Sequence, residues 1–220
     1  MEILYPCIFF IVSFVHLLCC FFQKNKMRCT TKLLLMPLLL LIYLDMTSDQ
    51  GTGKKSKLII NGLLLGFQGD ALLIFKNQKC FLCGLLSFLF GHILYITAMF
   101  RRIENFESYL PLFVIIELIH FTVFSIVFMK YLLVGFKNEM MYYGFIYGVA
   151  LSLLDSFAIY SLCMNFCYQN IILLIGTANF NLSDFILAYH SFVKNIKYGN
   201  FYLMTTYIIA QSFIAIGMAL

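Results

Sequence analysis

The sequence predicts an all-α fold: a polytopic bundle of transmembrane helices, eight in number. Three observations carry this. Hydrophobic residues make up 62% of the 220 and charged residues only 11%, whereas a soluble domain is about half apolar and about a quarter charged. The mean hydropathy is +0.92, so most of the chain needs lipid as its solvent. The apolar residues also fall in solid runs rather than in the alternating pattern of a membrane β-barrel.

The runs cover residues 3–22, 33–44, 58–75, 80–100, 109–134, 140–160, 169–189 and 200–220. A bilayer crossing takes roughly 20 residues, and most of the runs meet that. The second is short. Its helix is expected to recruit Lys32 and the stretch to Thr47, with the lysine snorkelling. A seven-helix protein in which that run is re-entrant is the main competitor. The first run follows Glu2 and precedes Lys24, Lys26 and Arg28. It lacks the basic start and small-residue cleavage site of a signal peptide, so it reads as a mature helix.

A single domain over residues 1–220 is expected, because the connections are short and none has linker composition. The longest polar stretch is 45–57, hinged at Gly51 and Gly53. The net charge of +5 does not point to nucleic acid, since the basic residues sit beside apolar runs. With eight helices, Lys24, Lys26, Arg28, Lys32, Lys76, Lys79, Lys130, Lys137, Lys194 and Lys197 share one side. Lys54, Lys55, Lys57, Arg101 and Arg102 share the other. The first group is expected to face the cytosol. Cys80 and Cys83 form a lone Cys-x-x-Cys with no second pair, and read as small packing residues.

Four acids lie inside the runs: Asp70, Glu117, Asp155 and Asp184. An ionised aspartate at a helix centre costs about 2.5–3.5 kcal/mol on insertion scales, so such residues usually face the bundle interior and mark a site. Their ordinary alternative is a hydrogen-bonded packing residue. Asp70 follows Gly62, Gly66 and Gly69, a small face that allows close helix approach, and is expected to point into that contact. Gly176, Asn179, Ser183 and Asp184 fall on one broad helical face. His92 and Tyr95, three apart, share a face of the fourth helix. Glu117 and His120 form another such pair, better read as a structural hydrogen bond than as half of a metal site. Asp155, with Ser152 and Ser156, reads as a local polar contact. No phosphate-binding loop, nucleophile elbow or zincin motif is present.

Several segments resemble one family. Asn61-Gly-Leu-Leu-Leu-Gly66-Phe-Gln-Gly-Asp70-Ala-Leu-Leu, followed by Gly84-Leu-Leu-Ser-Phe88-Leu-Phe-Gly-His92-Ile-Leu-Tyr95, is similar to the core of the lysoplasmalogenase family of YhhN-like membrane proteins. Thr31-Lys32, Met36-Pro37, Gly176-Thr-Ala-Asn-Phe180-Asn-Leu-Ser183-Asp184 and Thr206-Tyr207-Ile-Ile-Ala210-Gln211 continue the resemblance in order. Asn179 and Asn181 stand where that family is usually apolar.

The resemblance implies an eight-helix enzyme that hydrolyses the vinyl ether bond of lysoplasmalogens. The products are a fatty aldehyde and glycerophospho-ethanolamine or -choline. Catalysis is implied for Asp70 and Asp184, with His92, Tyr95, Lys32, Ser183, Asn179, Tyr207 and Gln211 as supporting residues. Asp184 is the expected proton donor, held neutral by Ser183 and the asparagines. Lys32 is a candidate phosphate contact, and otherwise snorkels. No metal or other cofactor is expected. The expected partners are a lysophospholipid substrate and the bilayer. The oligomeric state is open, with a dimer among the candidates. The expected address is a multi-pass integral membrane protein, of the endoplasmic reticulum if the source is an animal. The alternatives are a lipid-binding or proton-coupled transport protein using the same acids, and a relative that keeps the fold without the activity.

Overall fold

A computed structural model describes residues 4–49, 56–75, 77–103, 106–135 and 138–220. Glu2, Lys54, Lys55, Lys76 and Lys137, and the hinge glycines Gly51 and Gly53, lie outside the described residues.

The described chain forms eight α-helices: α1 Leu4–Phe21, α2 Asn25–Asp49, α3 Lys57–Leu73, α4 Gln78–Phe100, α5 Leu110–Val127, α6 Asn138–Met164, α7 Tyr168–Ala188 and α8 Gly199–Ala219. Seven have the length and composition of a membrane crossing. The eighth, α3, has 17 residues, at the short end of the usual range. These helices make the protein a polytopic transmembrane bundle. Large apolar side chains such as Phe10, Ile115, Leu118 and Ile119 lie more than half exposed on its outer faces, as expected where the solvent is hydrocarbon.

Local signals set several boundaries. Asn77 caps α4, its side chain accepting from the Lys79 amide at 2.9 Å, which satisfies one of the orphan donors at a helix start. Pro111 stands in the first turn of α5, where its missing N–H costs nothing. At the opposite end of the bundle Arg102 donates to the carbonyls of Gly217 and Met218, closing α8 with a cation where a helix end is negative.

The second run recruits Lys32 and the stretch to Thr47, as expected, and starts earlier still. It forms a continuous helix of 25 residues with Pro37 inside, so the re-entrant reading is contradicted. It begins upstream of Lys32 because Asn25, Arg28 and Cys29 line a large cavity with polar groups in its walls. Polar residues are tolerated on a helix that borders such a space.

Six helices close a ring. α2 packs on α3, α3 on α4, α4 on α6, α6 on α7, α7 on α8 and α8 back on α2. Outside the ring, α1 lies against α2 and α8, and α5 lies against α6. The α3–α4 seam is tight. A Cβ on Gly62 would stand 2.4 Å from the Tyr95 ring, and one on Gly69 would stand 2.6 Å from the Phe88 ring. Ser87 adds a hydrogen bond to the Leu65 carbonyl at 2.7 Å. Gly66 is not part of this seam. It faces Met36, Gln211 and Tyr207, so the small face predicted for α3 splits in two. Asp70, one turn beyond Gly66, points to α2 and α8 rather than into the α4 contact.

Candidate active site

Asp70 is 1% exposed and is held from two helices. The Lys32 ammonium on α2 lies 3.0 Å from its Oδ1. The Tyr207 hydroxyl on α8 donates to its Oδ2 at 2.8 Å. Behind Tyr207, Gln211 bonds the same hydroxyl and accepts from the Tyr95 hydroxyl at 3.1 Å. A buried carboxylate needs a partner for its charge and donors for its lone pairs, and these two groups meet both needs. Tyr95, Tyr207 and Gln211 therefore form one relay from α4 through α8 to Asp70. Lys32 does not snorkel outward; its ammonium faces Asp70.

Asp184 is held differently. The Tyr147 hydroxyl on α6 donates to its Oδ2. Among the described residues no cation lies within salt-bridge distance of it; the ion pair found there is Lys32–Asp70.

One cavity of about 940 Å³ contains both carboxyls in its lining. Its lining includes Asn25 and Arg28 from the first turn of α2, Asn77 before α4, His190 and Asn195 after α7, and Asn200 at the start of α8, all at one end of the bundle. This is the end at which the larger set of basic residues was placed. Two π-helical turns finish α5 and α7 there, Phe128–Leu132 and Tyr189–Val193, packed against each other. Single π turns recur at functional sites. The second brings His190 to the rim, where its Nδ1 accepts from the Ile196 amide at 2.9 Å.

The geometry required by an acid pair is thus met in part. The two carboxyls share a cavity, but α3 and α7 are not neighbours in the ring: α4 and α6 separate them on one side and α2 and α8 on the other, so the acids reach the cavity from opposite walls. Phe88, Phe180 and Tyr207, in edge-on contacts, form the aromatic wall across that gap.

Other predicted site residues fall elsewhere. His92 does not line the cavity. It is 1% exposed, edge-on to Phe180 with centroids 4.5 Å apart and tilted against Tyr147 at 5.5 Å. Neither of its ring nitrogens has a hydrogen-bond partner among the described residues. The face proposed for α7 is really two faces. Gly176 and Ser183 pack on α8, with Ser183 donating to the Leu203 carbonyl at 3.3 Å. Asn181 and Asp184 turn to α6, where Asn181 donates to Asp155. Asn179 joins neither face and donates to its own Ile175 carbonyl at 2.8 Å. Ser183, Asn179 and Asn181 therefore do not hold Asp184; Tyr147 does. Ser152 donates to Glu117 at 3.3 Å, so the Glu117–His120 pairing gives way to a bond between α5 and α6.

Sequence reasoning missed Tyr147 and His16. His16 is fully buried in α1, with Nδ1 2.8 Å from the Thr31 hydroxyl, and it lines the cavity. A histidine in the middle of an apolar run was a usable signal. Tyr147 carried none, being one tyrosine among several in an apolar stretch.

Fold and site together define a polytopic membrane protein with a cavity of mixed polar and apolar lining that reaches two acids within its helical bundle. Residues 27–218 match the YhhN family, and the chain belongs to that family, which includes lysoplasmalogenases. No curated protein and no solved structure matches the chain.

Proposed function

We propose that this protein is a lysoplasmalogenase, hydrolysing the vinyl ether bond of single-chain alkenyl glycerophospholipids with Asp184 as acid and Asp70 as carboxylate. The observation that carries this is the shared cavity. It presents two carboxyls in unequal surroundings, one salt-bridged and one not, to a space wide enough for a phospholipid headgroup.

A vinyl ether hydrolyses through protonation of the carbon β to its oxygen. The Asp184 hydroxyl supplies that proton, and the carbon bound to oxygen becomes an oxocarbenium ion. The Asp70 carboxylate stabilises the cation and accepts a proton from the attacking water. The hemiacetal then breaks its bond to the glycerol oxygen, which takes the proton held by Asp70, while the hemiacetal hydroxyl gives its proton back to Asp184 and the chain departs as an aldehyde. One water is consumed and both acids return to their starting states. Two like carboxyls with divided roles follow the logic of glycoside hydrolysis.

Lys32 keeps Asp70 charged, and Tyr207 with Gln211 and Tyr95 fixes its orientation. Tyr147 occupies Oδ2 of Asp184 and leaves the other oxygen to carry the proton. The same reading places the protein in the endoplasmic reticulum membrane if its source is an animal.

The test is aldehyde release by purified protein supplied with a lysoplasmalogen. Wild type releases aldehyde, and Asp70→Asn and Asp184→Asn each lose at least about a hundredfold, the scale of one acid–base group, while remaining folded. Full activity in either variant contradicts the assignment.

A further inference from the structure

A second cavity, of about 350 Å³, lies between α4, α5, α6 and α7. Asp184 lines this cavity as well as the large one. The two spaces differ in character. The large one mixes amides, histidines, Arg28 and Lys32 with apolar residues such as Leu73, Phe88 and Leu203, whereas the walls of the small one are chiefly Leu85, Phe124, Val127, Leu132 and Leu151. Two of its lining residues, Val123 and Leu182, are 55% and 49% exposed on the outer surface of the bundle. That surface faces hydrocarbon. The small cavity therefore runs from an acid of the proposed active site to the lipid phase.

We infer that this apolar cavity binds the hydrocarbon chain of a single-chain phospholipid, admitting it sideways from the bilayer past Val123 and Leu182. The inference rests on the proposed function for the identity of the lipid, and on the two cavities for its placement. A lysophospholipid has a polar head and one chain, and its reactive bond in the alkenyl form lies where the two join. The protein has a partly polar space and an apolar space, and Asp184 lies where they join. The Asp184–Tyr147 hydrogen bond stands at that junction, so it fixes the depth at which chain gives way to head. Ordinary ligand sites combine an apolar wall with a few convergent polar groups, and here the two parts are separated along the lipid. Transfer of a chain from bilayer to cavity gains no hydrophobic energy, because both are apolar. Affinity must then come from the head, and the chain cavity acts on position and chain shape.

A few polar groups also line this cavity: Asn181 donates to Asp155 and Ser152 donates to Glu117 behind the wall, whereas His120 lines it too and Asp155 Oδ1 has no hydrogen-bond partner among the described residues. The hydrocarbon chain is accordingly placed along the Leu85, Phe124, Val127 and Leu132 walls.

The test uses the whole protein in liposomes and a lysophospholipid of the ordinary ester type, which has no vinyl ether bond, carrying a diazirine in mid-chain. Photolysis is expected to label α5 and α6 at the cavity wall. Val127→Trp, which fills the cavity, and Leu182→Trp, which narrows its opening from the lipid side, should each cut that labelling about fivefold or more. Leu64→Trp, on the lipid-facing side of α3 (47% exposed), should leave it unchanged. Label spread evenly over lipid-facing helices, or concentrated on the α2 and α8 walls of the large cavity, overturns the inference. So does labelling that is indifferent to both cavity variants.

Because the probe reports binding alone, the two readings separate. Label on the cavity wall without aldehyde release from a lysoplasmalogen leaves the chain site standing and removes the proposed reaction. Aldehyde release with label elsewhere does the reverse.

Discussion

Asp70 and Asp184 occupy the same cavity under different conditions. Asp70 lies against a lysine at 3.0 Å and a tyrosine at 2.8 Å, and that tyrosine is itself held by Gln211. Asp184 meets one tyrosine and no cation within salt-bridge distance among the described residues, and it borders two cavities rather than one. The first arrangement suits a charge that must stay, since an opposite charge within a few ångströms favours the ionised carboxylate. The second suits a group that hands over a proton to something arriving beside it. The pair thus offers unequal carboxyls built from identical residues, and the inequality comes from neighbours on other helices.

The largest effect that can break this comparison is removal of either carboxyl. Asp70→Asn and Asp184→Asn should each lower aldehyde release by at least about a hundredfold, but they should part company in stability. Asp70→Asn leaves the Lys32 ammonium without its partner, so its melting temperature should fall. Asp184→Asn strands no charge and should melt near wild type. Equal melting temperatures would mean that the two surroundings are electrically alike.

Lys32→Met comes next. It leaves a buried carboxylate uncompensated, and losing one partner of such a pair costs about 3 kcal/mol or more. The double variant Lys32→Met, Asp70→Asn should recover most of the thermal stability while remaining inactive. A double variant no more stable than Lys32→Met alone would show that the ion pair is not what the lysine contributes.

The tyrosines sharpen the comparison. A hydrogen bond to a charged group contributes about 1.5–3 kcal/mol, and one between neutral groups about 0.5–1.5 kcal/mol. Tyr207→Phe should therefore reduce kcat more than Tyr147→Phe. The expected losses are on the order of tenfold or more for Tyr207 and a few-fold for Tyr147, at about 1.4 kcal/mol per tenfold. Initial rates on a lysoplasmalogen decide this, and the reverse order would exchange the roles of the two aspartates.

The smallest effect belongs to Asn179→Ala. Its side chain bonds only its own helix, so rate and melting temperature should stay within about 0.5 kcal/mol of wild type, the usual range for such positions.

Much of this architecture was legible in the sequence. Eight apolar runs became eight helices, because a bilayer demands long uncharged segments and composition reports them directly. The family was legible from its motif segments, and four acids, Asp70 and Asp184 among them, stood out against lipid by composition alone. The inequality of the acids was not. Asp70 follows a glycine and Asp184 follows a serine, each before an aliphatic stretch, and local sequence makes them look alike. What separates them is Lys32 and Tyr207 on one side and Tyr147 on the other, all distant in sequence. Helical spacing also suggested one polar face on α7, whereas Ser183 bonds α8 and Asn181 bonds α6. Periodicity locates a stripe but does not say how many neighbours divide it. The start of α2 was misjudged because Asn25 and Arg28 look like loop residues until the cavity beside them is known.

The most direct measurement of the unequal pair is infrared difference spectroscopy on protein in liposomes at neutral pH, reading the carbonyl stretch of a protonated carboxylic acid and its shift in heavy water. One component of the band should be present in wild type and in Asp70→Asn and missing in Asp184→Asn, any contribution of the buried Asp155 being common to all three. A band that survives in Asp184→Asn and disappears in Asp70→Asn would contradict the account.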